Sequence, residues 1–478
     1  MVERLGQLLK KTGFGGGAHS ELASLPGGAP SPEVLMAAGR TDAVQLATLV
    51  ALFDREAAVA PAIAEQALEG LTIAQLVDAG LLETDNGGVR ARVKVNVLDG
   101  VLLAGDPIRA SDNPDYVLGV TPASVRVAGS TIRRRVKTVL DLGTGSGVQA
   151  LLAARHGRKV TGVDINSHAL FCAAISQRLN GVRNVEWMEG DWFEPVRGKR
   201  FDLIVVNPSI IITPDHTVLY RDSRLRAQEL SRRLVSQSAE HLNEGGFATL
   251  LCHWTHPQGA WDYAPREWVA EVGCDALLLH FGSQEPLAYA MNNAVSGPDH
   301  DPADIARTVT RWTRYYRDSG IQQMSAGAIV LRRRSKQNNW VRALQFQGGP
   351  APAGSDQLGR MFAGGDLLAS LSGDQQLDKV LSTRWRLVDH NRIDQTLVRH
   401  NGGYGSMPAL VTHEPATHLA AAVDPRIVPL LMACDGRRSL ADLLAQGPWP
   451  DGLSEPQFNS LALNTVGDLI ARGLLVDR

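Results

Sequence analysis

Between residues 137 and 333 the chain alternates short apolar runs with longer amphipathic ones. KTVLDLG, KVTGVDI, NVEWMEGD, FDLIVVNP, GFATLLCHW and CDALLLHF have strand length, and several are dense in Val, Ile and Leu. Continuous apolar runs are what strands covered on both faces require. Between the early ones lie GVQALLAARHG, SHALFCAAISQRLNGV and SRLRAQELSRRLVSQSAEHLNEGG, with apolar residues at helical spacing. Repeated strand–helix units predict an open α/β sheet with ligands at the carboxyl ends of its strands.

The flanks differ. Residues 1–92 are rich in Ala, Leu and Glu at helical spacing, as in DAVQLATLVALFDREAAVAPAIAEQAL. They close with IAQLVDAGLLETDNGGVRARVKV, which predicts a helix, a stop at Gly80, a strand, an Asn86-Gly87 turn and a second strand. Helix followed by hairpin is a winged-helix pattern. At the far end DLIARGLLV echoes QLVDAGLLE. The expected organisation is a winged-helix-like module at 1–92, a connecting segment at 93–136 and an α/β domain at 137–335. A Pro/Gly/Ser-rich linker at 336–359 and a C-terminal module at 360–478 with a winged-helix-like end complete it. Such modules recognise a partner or substrate, or they pack on the body or join two chains in a homodimer.

Composition narrows the class. Of 478 residues, 44% are hydrophobic and 21% charged, with net charge −2. No apolar run reaches the roughly 20 residues that cross a membrane. The start, MVERLGQLLKKTGF, reads as an amphipathic helix without the apolar core of a secretory signal. Cys172, Cys252, Cys274 and Cys434 lie far apart, so neither a metal site nor a disulfide framework is indicated, and a cytoplasmic setting is expected. Near-zero charge does not argue for a nucleic-acid backbone as partner. The basic clusters at Arg133–Lys137 and Leu331–Lys336 read as solvated edges.

VLDLGTGSGVQALLAA, Val139 to Ala154, carries the chemistry. An apolar strand ends at Asp141, and a turn with Gly143, Thr144, Gly145 and Gly147 feeds a helix. Glycines there let the backbone turn sharply and approach a ligand. The next strand ends in Asp164, followed by Ile165, where a carboxylate accepts hydrogen bonds from both ribose hydroxyls. After the third strand comes MEGDWFEP, in which Asp191 suits an adenine amino group and Trp192 or Phe193 packs on the ring. A dinucleotide site usually shows G-x-G-x-x-G, whereas Val148 follows Gly147 here.

Asp141, Gly143, Asp164 and Asp191 at successive strand ends resemble the class I S-adenosylmethionine-dependent methyltransferases, with a Rossmann-like sheet. FDLIVVNPS then places Asn207 and Pro208 at the end of the fourth strand, which resembles the HemK and small-domain group. That group includes release-factor glutamine and ribosomal RNA guanine methyltransferases, and its signature is Asn-Pro-Pro-aromatic. DYVLGVTPAS, DLGTGSGVQALLAARH and YRDS further resemble a bacterial subgroup with extra terminal modules. The resemblance implies S-adenosyl-L-methionine as cofactor, with Asn207 beside the sulfonium. It implies that the Asn207 side chain and the Pro208 carbonyl accept hydrogen bonds from the attacking nitrogen. It also implies that the segment before the first strand covers the cofactor, which makes Tyr116 and Ser124 pocket residues.

This chain departs from the signature at Ser209 and Ile210. Ser209 adds a hydroxyl. Ile210 offers no π-face, and base–aromatic stacking is worth about 1–3 kcal/mol. Tyr220 or Trp254 is the alternative source of a ring, and Arg221 with Asp222 is a candidate contact for an acidic substrate. His253 is the first candidate base and His256 the second, both at the end of the fifth strand. The kept Asn207 and Pro208 acceptors suit N-methylation, with O-methylation second, and the lost aromatic and neutral charge favour a small-molecule, peptide or natural-product acceptor. The alternative is a macromolecule, RNA or a protein glutamine, docked by the terminal modules. A third reading keeps the cofactor as a sensed ligand of a regulator.

Overall fold

The apolar runs assemble into one sheet. The computed structural model describes all residues except 25–31, 38–40, 86, 209–210, 216–226, 295–300, 336–337, 346–353, 371–373, 401–402, 414–419, 448–449, 451 and 478. Val136–Leu142 (β1), Gly157–Asp164 (β2), Val185–Glu189 (β3), Phe201–Val206 (β4), Leu242–His256 (β5), Cys274–Gln284 (β6), Gln323–Arg333 (β7) and Val341–Gln345 (β8) are its strands. Their order is β8-β6-β7-β5-β4-β1-β2-β3. Neighbours run parallel except around β7, which is antiparallel to both β5 and β6. This is the Rossmann-like sheet expected from the sequence. From β1 the chain winds outward through β2 and β3, then returns to place β4 on β1's other side, with Leu142 paired to Val206. At such a switch point a crevice opens outside the carboxyl ends of the two central strands.

Both faces are covered, which explains the unbroken apolar runs. Leu203 and Val205 of β4 pack with Val127 of helix Pro122–Ser130 (α1) and Ala150 of helix Val148–Ala153 (α2). Ile204 and Val206 face the other way, among Leu234 of helix Ala227–Glu240 (α4) and Trp268 of helix Tyr263–Val269 (α5). Helix Ser167–Leu179 (α3) follows β2. Helices Pro286–Ala294 (α6) and Pro302–Asp318 (α7) fill the excursion between β6 and β7.

The body does not stop at residue 335. Val341–Gln345, inside the expected linker, pairs parallel with β6 as the eighth strand. Helix Ser355–Ser370 (α8) adds Leu358, Met361 and Phe362 to the core under β1 and β4. Its Asp366 accepts hydrogen bonds from Arg332 and Arg334 at the end of β7. Arg332 also pairs at 2.6 Å with the fully buried Asp275. The Pro/Gly-rich run between β8 and α8 masks this continuity in the sequence.

The N-terminal helices share their apolar core with the α/β body. Leu5, Leu49, Leu76 and Val89 form one cluster with Val95 and Leu102 of the hairpin Lys94–Leu98/Val101–Gly105 and with Ile175 and Leu179 of α3. A Cβ on Gly6 would fall 1.8 Å from the Leu179 carbonyl oxygen, so the first helix meets α3 backbone to backbone. The two echoing stretches stop their helices identically. Gly80 (φ 72°) and Gly473 (φ 64°) are left-handed, and the Leu81 and Leu474 N–H groups donate to Leu76 and Leu469 at 2.9 Å. Their strands then diverge: Leu82–Asp85 pairs with the adjacent Gly88–Ala91, but Leu475–Asp477 pairs with the distant Trp385–Leu387. Asn86, of the expected turn, lies outside the described residues. Among the described residues no helix is long and apolar enough to cross a membrane.

Candidate functional site

The turn after β1 is built on three left-handed glycines, Gly143 (φ 64°), Gly145 (φ 53°) and Gly147 (φ 85°). A Cβ on Gly147 would also come within 3.0 Å of the Trp187 ring, which extends from β3 beneath the turn. Asp141 is 1% exposed. Its Oδ2 accepts from the Thr144 hydroxyl (2.6 Å) and the Ala150 N–H (2.9 Å), so it ties the strand to the turn and to α2. Its Oδ1 is buried without a partner among the described residues. Burial pushes this carboxyl up to about 7. Asp164, half-buried and also raised by burial, accepts from the Gly145 N–H at 2.8 Å and the Asn166 N–H at 3.0 Å. The two acids thus clasp the glycine turn from β1 and β2.

Around them, Ile165 is 53% exposed beside Asp164, and Asp191 is exposed after β3. Trp192 takes a left-handed φ of 46°, and its ring borders Gly143, 3.7 Å from where a Cβ would stand. Phe193, the other aromatic considered for the ring contact, is in the core, stacked on His241 at 4.4 Å.

The segment before α1 is fastened next to Asp164. The Asn166 side chain donates to the Asp115 carbonyl at 2.9 Å, and His168 pairs with Asp106 at 2.8 Å. The other Asp106 oxygen accepts from the Val117 N–H at 2.7 Å. Tyr116 therefore sits between two anchors. Ser124 is buried in a capping box with Thr121, hydroxyl to hydroxyl at 3.0 Å, so its Oγ is engaged in starting α1. Asp106, His168 and Cys172 converge within 4.8 Å of one another. Burial, with Asp106 adding to it, pushes the Cys172 thiol up to about 12 and keeps it protonated. Asn166, Asp106, His168 and Trp187 were not singled out from sequence. Only Asn166 left a signal there, as a capping residue two positions after Asp164.

On the acceptor side, Asn207 is half-buried and Pro208 buried immediately beyond β4. Ser209, Ile210, Tyr220, Arg221 and Asp222 lie outside the described residues. The alternation of β4 gives position 207 the face of Leu203 and Val205, and Leu251 of β5 belongs to the same layer. His253 follows on that face. Burial, with Arg126 adding to it, pushes its imidazole down to about 4, so it is neutral near pH 7, and its Nδ1 lacks a partner among the described residues. Trp254 turns to the opposite face. It is 2% exposed, donates Nε1–H to the Trp261 carbonyl at 2.6 Å and meets Trp268 edge-on, so its ring is core and not substrate wall. His256 is also engaged, with Ser325 Oγ and the Pro257 carbonyl each at 2.7 Å.

These residues fit a nucleoside bearing a cationic amino-acid tail. A buried carboxylate oxygen without a donor among the described residues (Asp141) suits the tail's ammonium, and a second carboxylate (Asp164) keeps lone pairs beyond its backbone bonds. Glycines leave the backbone bare between them.

Residues 126–257 match the family model of the methyltransferase small domain. The chain is 33% identical over 123 residues to ribosomal RNA small subunit methyltransferase C of Alcanivorax borkumensis, covering 26% of this chain and 34% of that one. It is 35% identical over 136 residues to the release factor glutamine methyltransferase of Xylella fastidiosa, covering 26% and 49%. A putative protein N5-glutamine methyltransferase of Methanocaldococcus jannaschii is 34% identical over 124 residues, covering 24% and 61%. The chain therefore spans between about a third and three fifths of the length of these relatives. Residues 126–257, with their share of the sheet and the glycine turn, are thus a methyltransferase small domain of the class I S-adenosylmethionine-dependent kind, similar to the HemK group.

Proposed function

We propose that this chain methylates a nitrogen of a macromolecular acceptor, in the first place a side-chain amide of a protein. The observation that carries the reading is the position of Asn207-Pro208 at the carboxyl end of β4, beside the strand that bears the glycine turn. S-adenosylmethionine, when bound, supplies an electrophilic methyl on a good leaving group. What the chain must add is alignment and exclusion of water. Asp164 would hold the ribose and Asp141 the ammonium of the methionine moiety. The Asn207 side-chain oxygen and the Pro208 carbonyl would accept the acceptor's N–H groups and aim its lone pair. A proton leaves the nitrogen during transfer, and His253, neutral and with a buried Nδ1 that has no partner among the described residues, is a candidate to take it.

The sequence favoured a small acceptor. The relatives named above pull the reading toward macromolecules, since their names specify ribosomal RNA, a release factor and a protein glutamine. Net charge −2 supports protein over RNA, whose phosphates demand a basic surface. The absence of an aromatic at Ile210 weakens stacking on a nucleobase and on a planar amide alike, so it does not separate the two. The test is transfer from labelled S-adenosylmethionine into a cell extract separated into protein, RNA and small molecules. Label in protein, released as methylamine by acid hydrolysis, is the expected result. Label in RNA or in small molecules alone would overturn it.

A further inference from the structure

Strands β6 and β7 are antiparallel neighbours that a two-residue hairpin could join. Instead the chain departs at Gln284, builds α6 and α7, and returns at Gln323. Three large side chains of this excursion converge on the segment that follows Asn207-Pro208. The Ile212 N–H donates to Tyr289 Oη at 2.9 Å, and the Tyr316 hydroxyl donates to the Ile212 carbonyl at 2.5 Å. The Trp312 Nε1–H donates to Asp215 Oδ2 at 2.5 Å, and Arg311 pairs with the same oxygen at 2.6 Å. Ile212, Tyr289, Trp312 and Tyr316 are all under 8% exposed. Burial pushes the Tyr316 phenol up, so it remains a donor.

Buried loop backbone must have its N–H and C=O satisfied. Leu or Phe at 289 and 316 would complete the core equally well but leave that peptide orphaned. The hydroxyls therefore serve the loop rather than the packing. Val206 is held in the sheet and Ile212 by two phenols, so Asn207 and Pro208 lie in sequence between two anchored residues. Resting on the acceptor reading above, we infer that Tyr289 and Tyr316 are positioning residues for methyl transfer, and that the α6–α7 excursion sets the distance of the acceptor motif from the cofactor.

The test is the double variant Tyr289→Phe/Tyr316→Phe with both single variants. Phe keeps the rings and removes only the hydroxyls. At 25 °C, methyl transfer into the labelled extract fraction should fall about 10–100-fold in rate, as removal of positioning contacts typically does. The Kd for S-adenosylmethionine should stay within about two-fold, since one half of the site is untouched. An unchanged rate per folded molecule, or a Kd that weakens in step with rate, would overturn the inference. If the wild-type protein labels no fraction, the acceptor reading fails on its own, and amide exchange decides the clamp. Faster exchange across 205–215 in the double variant, with 136–150 unchanged, supports it, and unchanged exchange at 205–215 refutes it.

Discussion

The two halves of the crevice are held in opposite ways. The cofactor half is local: Asp141, Thr144, Gly145, Ala150 and Asp164 bond to one another within one strand–turn–helix–strand unit. The acceptor half is borrowed. Asn207 ends a strand, but the chain beyond it is fastened by Tyr289, Trp312 and Tyr316, from helices built much later in the sequence. A shared cofactor calls for the first arrangement. Acceptors differ between relatives, and a wall made of an insertion can vary without disturbing the nucleoside site.

The comparison predicts separable failures. Asn207→Ala should lower kcat by about 10²–10³-fold, the usual effect of removing one transition-state hydrogen-bonding group, with calorimetric affinity for S-adenosylmethionine almost unchanged. Retained turnover would make Asn-Pro an ordinary strand-ending turn. Asp164→Ala should act on the other half, weakening S-adenosylmethionine about 100-fold through lost charge-assisted hydrogen bonds. Unchanged affinity by calorimetry would move the ribose site elsewhere.

A pH titration sharpens the cofactor half further. The Asp141 carboxyl is raised from 3.8 to about 7 by burial. In the free protein its contribution to stability is therefore full below its unfolded pKa and lost as pH rises toward 7. A cationic ligand favours the ionised form, so affinity should increase with pH. Binding about 10-fold tighter at pH ~8 than at pH ~6 is expected, and Asp141→Asn should flatten the profile. The smallest effect is steric. Gly147→Ala, at φ 85° and against Trp187, should destabilise the fold by about 1–3 kcal/mol in thermal or denaturant unfolding. A neutral result would mean the turn tolerates a side chain.

Legibility follows the same division. Asp141, the glycines and Asp164 were readable as one turn because a tight strand–turn–helix connection imposes residue types at short spacing. Trp254 was misread as a candidate ring because its alternation onto the core face is settled by neighbouring strands. The expected linker at 336–359 contained a strand because Val341–Gln345 is defined by its partner, β6, and by little in its own composition. Small-molecule preference rested on a missing aromatic and a near-zero net charge, weaker signals than the company of relatives named for macromolecular acceptors.

The echoing QLVDAGLLE and DLIARGLLV state the general case. Sequence alone fixed both helix stops, because a left-handed glycine and a returning leucine N–H are contacts within six residues. It could not say that one following strand would pair with its neighbour and the other with Trp385–Leu387. So too with the site. Local spacing determined the glycine turn and the two acids that clasp it. Only the tertiary structure decided what holds the acceptor motif, because Tyr289 and Tyr316 meet Ile212 across long chain separations that no short-range pattern encodes.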